Sequence, residues 1–300
     1  SDFALAGRSL PLPMVITATF ATWFGSETIL GLPGRFIESG IAGVIEEPFG
    51  SGMALILVGT FFAHKLYKQN ILTLGDYYRD RYGRSVELLC SVAIVISYLG
   101  WVGAQVTALG LVINLITEGA VSMTTGMVIG AAVVLAYTMV GGMWSVAMTD
   151  FVQMIVIVVG LVAILWFATD LAGGMDKVVD YARGRDLFHA FPEPTTTGWL
   201  FWISAAMTMM IGSIPQQDVF QRVMSAKNLP TAVAGPILGG SFYILFAFVP
   251  MFIVVAAILV MPDAAEKMLS EDPQQLLPTL VRDYMPMWLR VVFFGAVLSA

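Results

Sequence analysis

Charge and sulfur are scarce in this chain. Of its 300 residues 12% are charged, where a soluble domain carries about 25%. That scarcity excludes an ordinary water-soluble globular domain. Basic residues are the rarer sign, 15 Lys+Arg against 21 Asp+Glu, so a nucleic-acid partner is not expected. The one cysteine, Cys90, lies inside an apolar run and allows no internal disulfide. The two histidines, His64 and His189, fall near the end of one run and in a long loop. No metal-ligand spacing results, and the apolar runs hold no nucleophile–base pair. An enzyme and a resident cofactor are therefore not expected.

Hydrophobic residues make up 58% of the chain and the mean hydropathy is +0.82. Several runs exceed the roughly 20 apolar residues that cross a bilayer. These features predict an all-α, multi-pass integral membrane protein, with residues 1–300 as a single transmembrane domain surrounded by lipid. The chain starts with serine and stops within an apolar run, and it reads as a piece of a longer protein.

The first apolar run, residues 10–33, carries Trp23, Phe24, Gly25, Ser26, Glu27 and Thr28 at its centre. A carboxylate at mid-membrane costs about 2.5–3.5 kcal/mol, and glycine lowers helix stability by about 1 kcal/mol relative to alanine. Both liabilities at one point predict a helix interrupted there. Freed backbone groups at membrane depth are tolerated where protein buries them or where they line a watery cavity. Glu27 is expected to hydrogen-bond the interrupted backbone and hold its shape.

Further spans are expected at about 41–64, 86–116, 120–140 and 146–167, the last two joined by a tight turn at Gly141-Gly142. Short interfacial or loop helices are expected around Gly75-Asp76-Tyr77-Tyr78, at 175–182 and at 273–283. A sixth run from Trp199 halts at Gly212-Ser213-Ile214-Pro215-Gln216-Gln217-Asp218. Pro215 removes a backbone donor and clashes with the preceding turn, so no helix runs straight through it. A seventh run covers 232–261 and an eighth begins near Trp288. About eight segments result, with the first and sixth broken. Paired broken spans in two halves point to an inverted-repeat transporter, with repeats at about 10–168 and from about 198 to 300. Short segments rich in Lys and Arg, around Arg8, Lys65–Arg84 and Arg222–Lys227, mark the cytoplasmic face.

The sequence resembles the sodium/solute symporter family, which uses the leucine-transporter inverted-repeat fold. The resemblance runs through Phe3-Ala4-Leu5-Ala6-Gly7-Arg8-Ser9-Leu10 and Gly31-Leu32-Pro33-Gly34. It is most specific in Tyr137-Thr138-Met139-Val140-Gly141-Gly142-Met143-Trp144-Ser145-Val146-Ala147-Met148-Thr149-Asp150-Phe151-Val152-Gln153. Gly212-Ser213-Ile214-Pro215 and Phe220-Gln221-Arg222-Val223 look most like the choline-carrier branch. Family membership implies a sodium-coupled symporter of the plasma (cell inner) membrane whose partners are a small-molecule solute, Na+ and lipid. It also implies that an amino-terminal helix and everything after the start of the eighth core helix are missing.

By position, the family's sodium-binding carbonyls fall on Ala21 and Phe24. Ala300 stands just before the hydroxyl pair of the eighth helix, which this chain does not contain. Asp150 becomes a charge on the cytoplasmic exit path of sodium, or else caps the start of the fifth span. The expected solute-lining residues are Trp23, Gly25, Ser26 and Thr28 from the first break, Trp101 and Gln105 from the third span, and Ser213 and Gln216 from the second break. Two tryptophan faces suit an ammonium group. Gln216 stands where the choline branch typically has an aromatic residue. An amino acid, a betaine or choline all remain open. The alternative is a transporter-like sensor fused to a signalling module.

Overall fold

A computed structural model describes residues 2–299, apart from the side chains of Tyr137 and Ser299. The described residues are almost wholly helical. Their only β contact is an isolated bridge between Leu10 and Ala226. In chain order the helices are α1 (Leu12–Ala21), α2 (Leu32–Ser39), α3 (Ile41–Gln69), α4 (Leu74–Tyr82), α5 (Arg84–Ile116), α6 (Met123–Leu171), α7 (Met175–Gly184), α8 (Thr196–Gly212), α9 (Gln217–Met224), α10 (Leu229–Val260), α11 (Pro262–Glu271), α12 (Leu276–Tyr284) and α13 (Met287–Ser299).

Length and composition qualify α3, α5, residues 138–171 of α6, and α10 to cross a membrane, and α8 with α9 as an interrupted pair. The shorter apolar helices Leu12–Ala21, Met123–Ala136 and Met287–Leu298 stand at the other places where the sequence predicts spans. The turn expected at Gly141-Gly142 is tighter than foreseen. Helix runs up to it and away from it, and only Gly142 leaves helical geometry, at φ 55° and ψ −151°. A Cβ there would sit 2.6 Å from the Phe3 carbonyl oxygen, so both the conformation and the space require glycine. The helix α11 was not foreseen. Pro262 opens it, and its acidic sequence reads as loop.

The chain divides into two compact units. The first takes the stretch up to Thr22, Met53–Val152 and Gly212–Ser241. Leu5, Leu74, Phe220 and Met224 form a buried cluster in it, with Leu66, Tyr67 and Tyr78 packed around them. Leu10 exchanges backbone hydrogen bonds with Ser225 and Lys227. Pro11 precedes α1 and Pro13 stands in its first turn, whose donors are unpaired in any case. Apolar burial drives little helix association in lipid, so close contact of small residues must supply it. Gly235 and Gly239 provide that contact, leaving no room for a Cβ against Val15 and against Ile16 and Thr19 of α1. Along α5, Leu88, Leu89, Val92, Val95, Ile96 and Leu99 are exposed, as lipid-facing residues would be.

The second unit takes Trp23–Gly52, Gln153–Ile211 and the chain from Phe242 onward. Here α2 packs on Phe248–Val260. The start of α3 is pinned by hydrogen bonds from Ile41 and Ala42 N–H to the Leu187 and His189 carbonyls, both 2.9 Å. Trp202 donates to the Ala190 carbonyl and stacks with Phe191 and Trp199, which fixes the loop before α8.

Candidate functional site at the helix breaks

Three threonine hydroxyls weaken α1 before it ends. Thr17 bonds the Met14 carbonyl, Thr19 the Val15 carbonyl and Thr22 the Ala18 carbonyl. Such back-bonding competes with the helix's own ladder. The helix stops at Ala21. Gly25 N–H, which would close the next turn on the Ala21 carbonyl, bonds the Trp23 carbonyl instead at 2.9 Å. Helix resumes at Ser26, passes through a wide turn at Glu27–Gly31 and becomes α2. The first predicted break is therefore present, with Ala21 and Phe24 at its edges.

Phe24 is fully buried, its ring edge-on to Tyr243 at 6.1 Å and tilted to Phe246 at 5.3 Å. Ser26 is buried as well. The Trp23 indole Nε1 is buried without a hydrogen-bond partner among the described residues, an orphan donor at the break itself.

Glu27 does not hold the break. It faces outward and pairs with Arg35 at 3.0 Å, both side chains nearly half exposed. The polar group that grips the interrupted backbone is Thr28, which is fully buried. Its hydroxyl lies 3.0 Å from the Trp23 carbonyl, 3.0 Å from Glu47 Oε1 and 3.2 Å from the Tyr243 hydroxyl. Tyr243 in turn donates to Glu47 Oε1. Glu47 lies within the second expected span, about 41–64, where no site residue is expected from the sequence. A carboxylate six residues inside a run counted from Ile41 carries the same signal that was read into Glu27. Glu47 is the buried one of the two, at 8% exposure.

At the second break α8 ends at Gly212, and Gln216 is extended at φ −83° and ψ 140° before α9. Pro215 is exposed, Ser213 is buried, and Gln216 donates its N–H to the Ser213 carbonyl at 3.3 Å. Asp218 occupies the first turn of α9, where a carboxylate complements the free amides. It takes hydrogen bonds from its neighbour Val219 N–H at 2.8 Å and from the Tyr98 hydroxyl at 2.7 Å. Tyr98 also accepts from Asp218 N–H at 3.1 Å. Trp101, one turn along α5, is 45% exposed and meets the Tyr98 ring edge-on at 6.4 Å. Tyr98 and Asp218 were both missed. The i, i+3 spacing of Tyr98 and Trp101 was the available signal. Gln105 lies further along α5, half-buried.

Asp150 is buried and sits inside α6, about two turns past Gly142. It therefore caps no helix start. Its Oδ2 has no hydrogen-bond partner among the described residues, and the charge that acts on it is that of Arg222. Arg222 itself bonds the carbonyls of Ala18 and Asp218, both at 3.3 Å. Ala300 lies outside the described residues.

Comparison with known proteins sets this geometry in a family. The sodium:solute symporter family model matches residues 3–300. High-affinity choline transporter 1 of Caenorhabditis elegans is 28% identical over 314 residues, covering 100% of this chain and 52% of the relative. The Drosophila melanogaster protein of the same name is 29% identical over 255 residues, 84% of this chain and 40% of the relative. Sodium/glucose cotransporter 4 of Danio rerio is 26% identical over 336 residues, 99% and 50%. The chain thus spans about half the length of the curated relatives it matches. A solved structure described as the substrate-bound outward-open state of a Na+-coupled sialic acid symporter superposes with a TM-score of 0.83 at 19% identity, covering 99% of this chain and 63% of that one. The inverted-repeat transporter fold follows from that likeness, and these relatives are transporters rather than enzymes. This multi-pass, helical chain belongs to the sodium:solute symporter family.

Proposed function

We propose that the chain is part of a sodium-coupled secondary active symporter that imports a small cationic or zwitterionic solute across the plasma membrane. Residues 1–300 form one transport domain in this reading, with the lysine- and arginine-rich short segments on the cytoplasmic side. The observation that carries it is the interruption of α1, where Gly25 N–H turns from the Ala21 carbonyl to that of Trp23. Carbonyls freed at a helix end, with the negative end of the helix dipole behind them, suit a monovalent cation. Ala21 and Phe24 are the proposed carbonyl donors to Na+, completed by residues beyond this chain. Asp150, buried beside a charged Arg222 and short of a hydrogen-bond partner, is the proposed relay on the ion's exit path.

The solute class rests on the side chains at the two breaks. Trp101 and Tyr98 offer aromatic faces next to the Asp218 carboxylate. Such faces attract an ammonium group by about 0.5–2 kcal/mol each. The orphan Trp23 Nε1 is a donor for a carboxylate or hydroxyl. Gln105, Ser213 and Gln216 are the further candidate solute contacts in the first unit, and Gly25, Ser26 and Thr28 those in the second. The relatives named as choline transporters make choline one plausible cargo, and a betaine or amino acid would also use the Trp23 donor.

The test is uptake by full-length protein in proteoliposomes, with and without a sodium gradient, competed by choline, betaine, proline and neutral sugars. Ammonium compounds should compete and sugars should not. Competition by sugars alone would overturn the solute reading, and uptake indifferent to sodium would overturn the coupling. Asp150→Asn should weaken apparent sodium affinity.

A further inference from the structure

The hydrogen count at the first break does not close while Glu47 is a bare carboxylate. Four oxygens meet there: Trp23 O, Thr28 Oγ1, Tyr243 Oη and Glu47 Oε1. The hydroxyls of Thr28 and Tyr243 bring one hydrogen each. Tyr243 donates its own to Glu47 Oε1. Thr28 has a single hydrogen for two acceptors, the Trp23 carbonyl and Glu47 Oε1, each 3.0 Å away. If it serves Trp23, two lone pairs face each other across the Thr28–Glu47 contact. If it serves Glu47, the same happens across the Thr28–Trp23 contact. A third hydrogen, carried by Glu47, fills both of these contacts and leaves only the longest of the four, Thr28–Tyr243 at 3.2 Å, without one. The carboxyl then donates to Thr28 Oγ1, Thr28 donates to the Trp23 carbonyl, and Tyr243 still donates to Glu47.

Among the described residues no cation bonds the Glu47 carboxyl in place of that hydrogen, although the Arg35 charge acts on it from a distance. Arg35 is engaged with Glu27 on the exposed side. Glu46, the next residue along, is acidic. Phe49 and Gly50 of the same segment pack on Phe248 and on Ala206 and Met209, and neither α8 nor Phe248–Val260 holds an ionisable side chain. The four contacts lie at hydrogen-bond distances, as shared protons require.

We propose that Thr28, Glu47 and Tyr243 form a proton-binding site that locks the first break through the Trp23 carbonyl. The ligand is a proton taken from water when the site loads and returned to water when it empties, with no other bond made or broken. Loading completes the chain from Tyr243 through Glu47 and Thr28 to the break. Emptying leaves a second contact without a hydrogen, one that involves Thr28, and loosens residues 22–25. The site does not depend on the symporter reading. If that reading holds, protons and sodium act on the same interrupted helix.

The test is infrared spectroscopy of full-length protein in lipid nanodiscs, in H2O and D2O, at neutral pH. A protonated-carboxyl C=O band that deuterium shifts should be present in the wild type and in Asp150→Asn, and absent in Glu47→Gln. Identical spectra for wild type and Glu47→Gln would overturn the proposal. Should Glu47→Gln fail to fold, Tyr243→Phe removes one hydrogen bond from the same carboxyl and should shift the band. A band unmoved in Tyr243→Phe would overturn it equally. Failure of sodium-driven uptake would leave these spectra unaffected, so the two readings fail separately.

Discussion

The two breaks are made by different means. At the second, the stop and restart are written locally: Pro215 ends the run, Gln216 is extended, and Asp218 supplies the carboxylate of the next first turn. At the first there is no proline. Gly25 and three back-bonding threonines only weaken the helix, and the shape is set by Thr28 reaching Glu47 and Tyr243, which lie 19 and 215 residues away in sequence. A break held locally keeps its shape whatever its neighbours do. A break held by distant side chains can change when they move.

Removing the distant grip should have the largest effect. Glu47→Ala removes the group that bonds both buried hydroxyls, Tyr243 and Thr28, and should cost about 2–3 kcal/mol. Glu47→Gln places at the Oε1 position an amide atom that can accept from Tyr243 or donate to Thr28 but not both, and should cost about 1 kcal/mol. Thermal unfolding of the detergent-solubilised full-length protein reads the difference. Equal losses in the two variants would mean that shape, and not hydrogen bonding, holds the first break.

The second break should respond less to loss of its two long-range bonds to the Tyr98 hydroxyl. Tyr98→Phe removes the hydroxyl that donates to Asp218, at a cost of about 1–2 kcal/mol, while Pro215 and the Val219 bond to Asp218 remain. Limited proteolysis around residues 213–216 should change little. A large rise in cleavage would show that this break too depends on distant contacts.

A control lies away from both breaks, at the capping box of α4. Burial pushes the Asp76 carboxyl up. That is outweighed by hydrogen bonds from the Thr73 backbone and hydroxyl and the Leu72 backbone, and by the Arg79 charge, which together hold it below the ordinary aspartate range. A carboxyl lowered in the folded state contributes stability that is present above its unfolded pKa and lost as pH falls through its folded pKa. Acidification through that window should fray α4, by about 1 kcal/mol at most, and Asp76→Asn should flatten the response. Hydrogen exchange of residues 73–77 measures it, and the exchange of residues 22–28 should not follow the same curve.

The smallest effect is expected at Glu27. Its bond to Arg35 is an exposed ion pair worth about 0–1 kcal/mol, so Glu27→Gln and Arg35→Ala should leave unfolding almost unchanged. A loss as large as that of Glu47→Ala would return Glu27 to the role first expected of it.

Composition, apolar run lengths and the punctuation by Gly25, Gly142 and Pro215 were enough to read a multi-pass helical membrane protein, the order of its apolar helices and the places of its two breaks. Those properties depend on local backbone chemistry and on the length a bilayer demands, and both are visible in a linear sequence. The partners of the first break were not visible. Glu27 and Glu47 are both carboxylates in polar-interrupted apolar stretches, and nothing local distinguishes them. Packing decided that Glu27 turns outward to Arg35 while Glu47 is buried against Tyr243. It likewise brought Tyr98 from α5 to Asp218, 120 residues on. A hydrogen bond between residues far apart in sequence needs each in its final place, and only the tertiary structure puts them there.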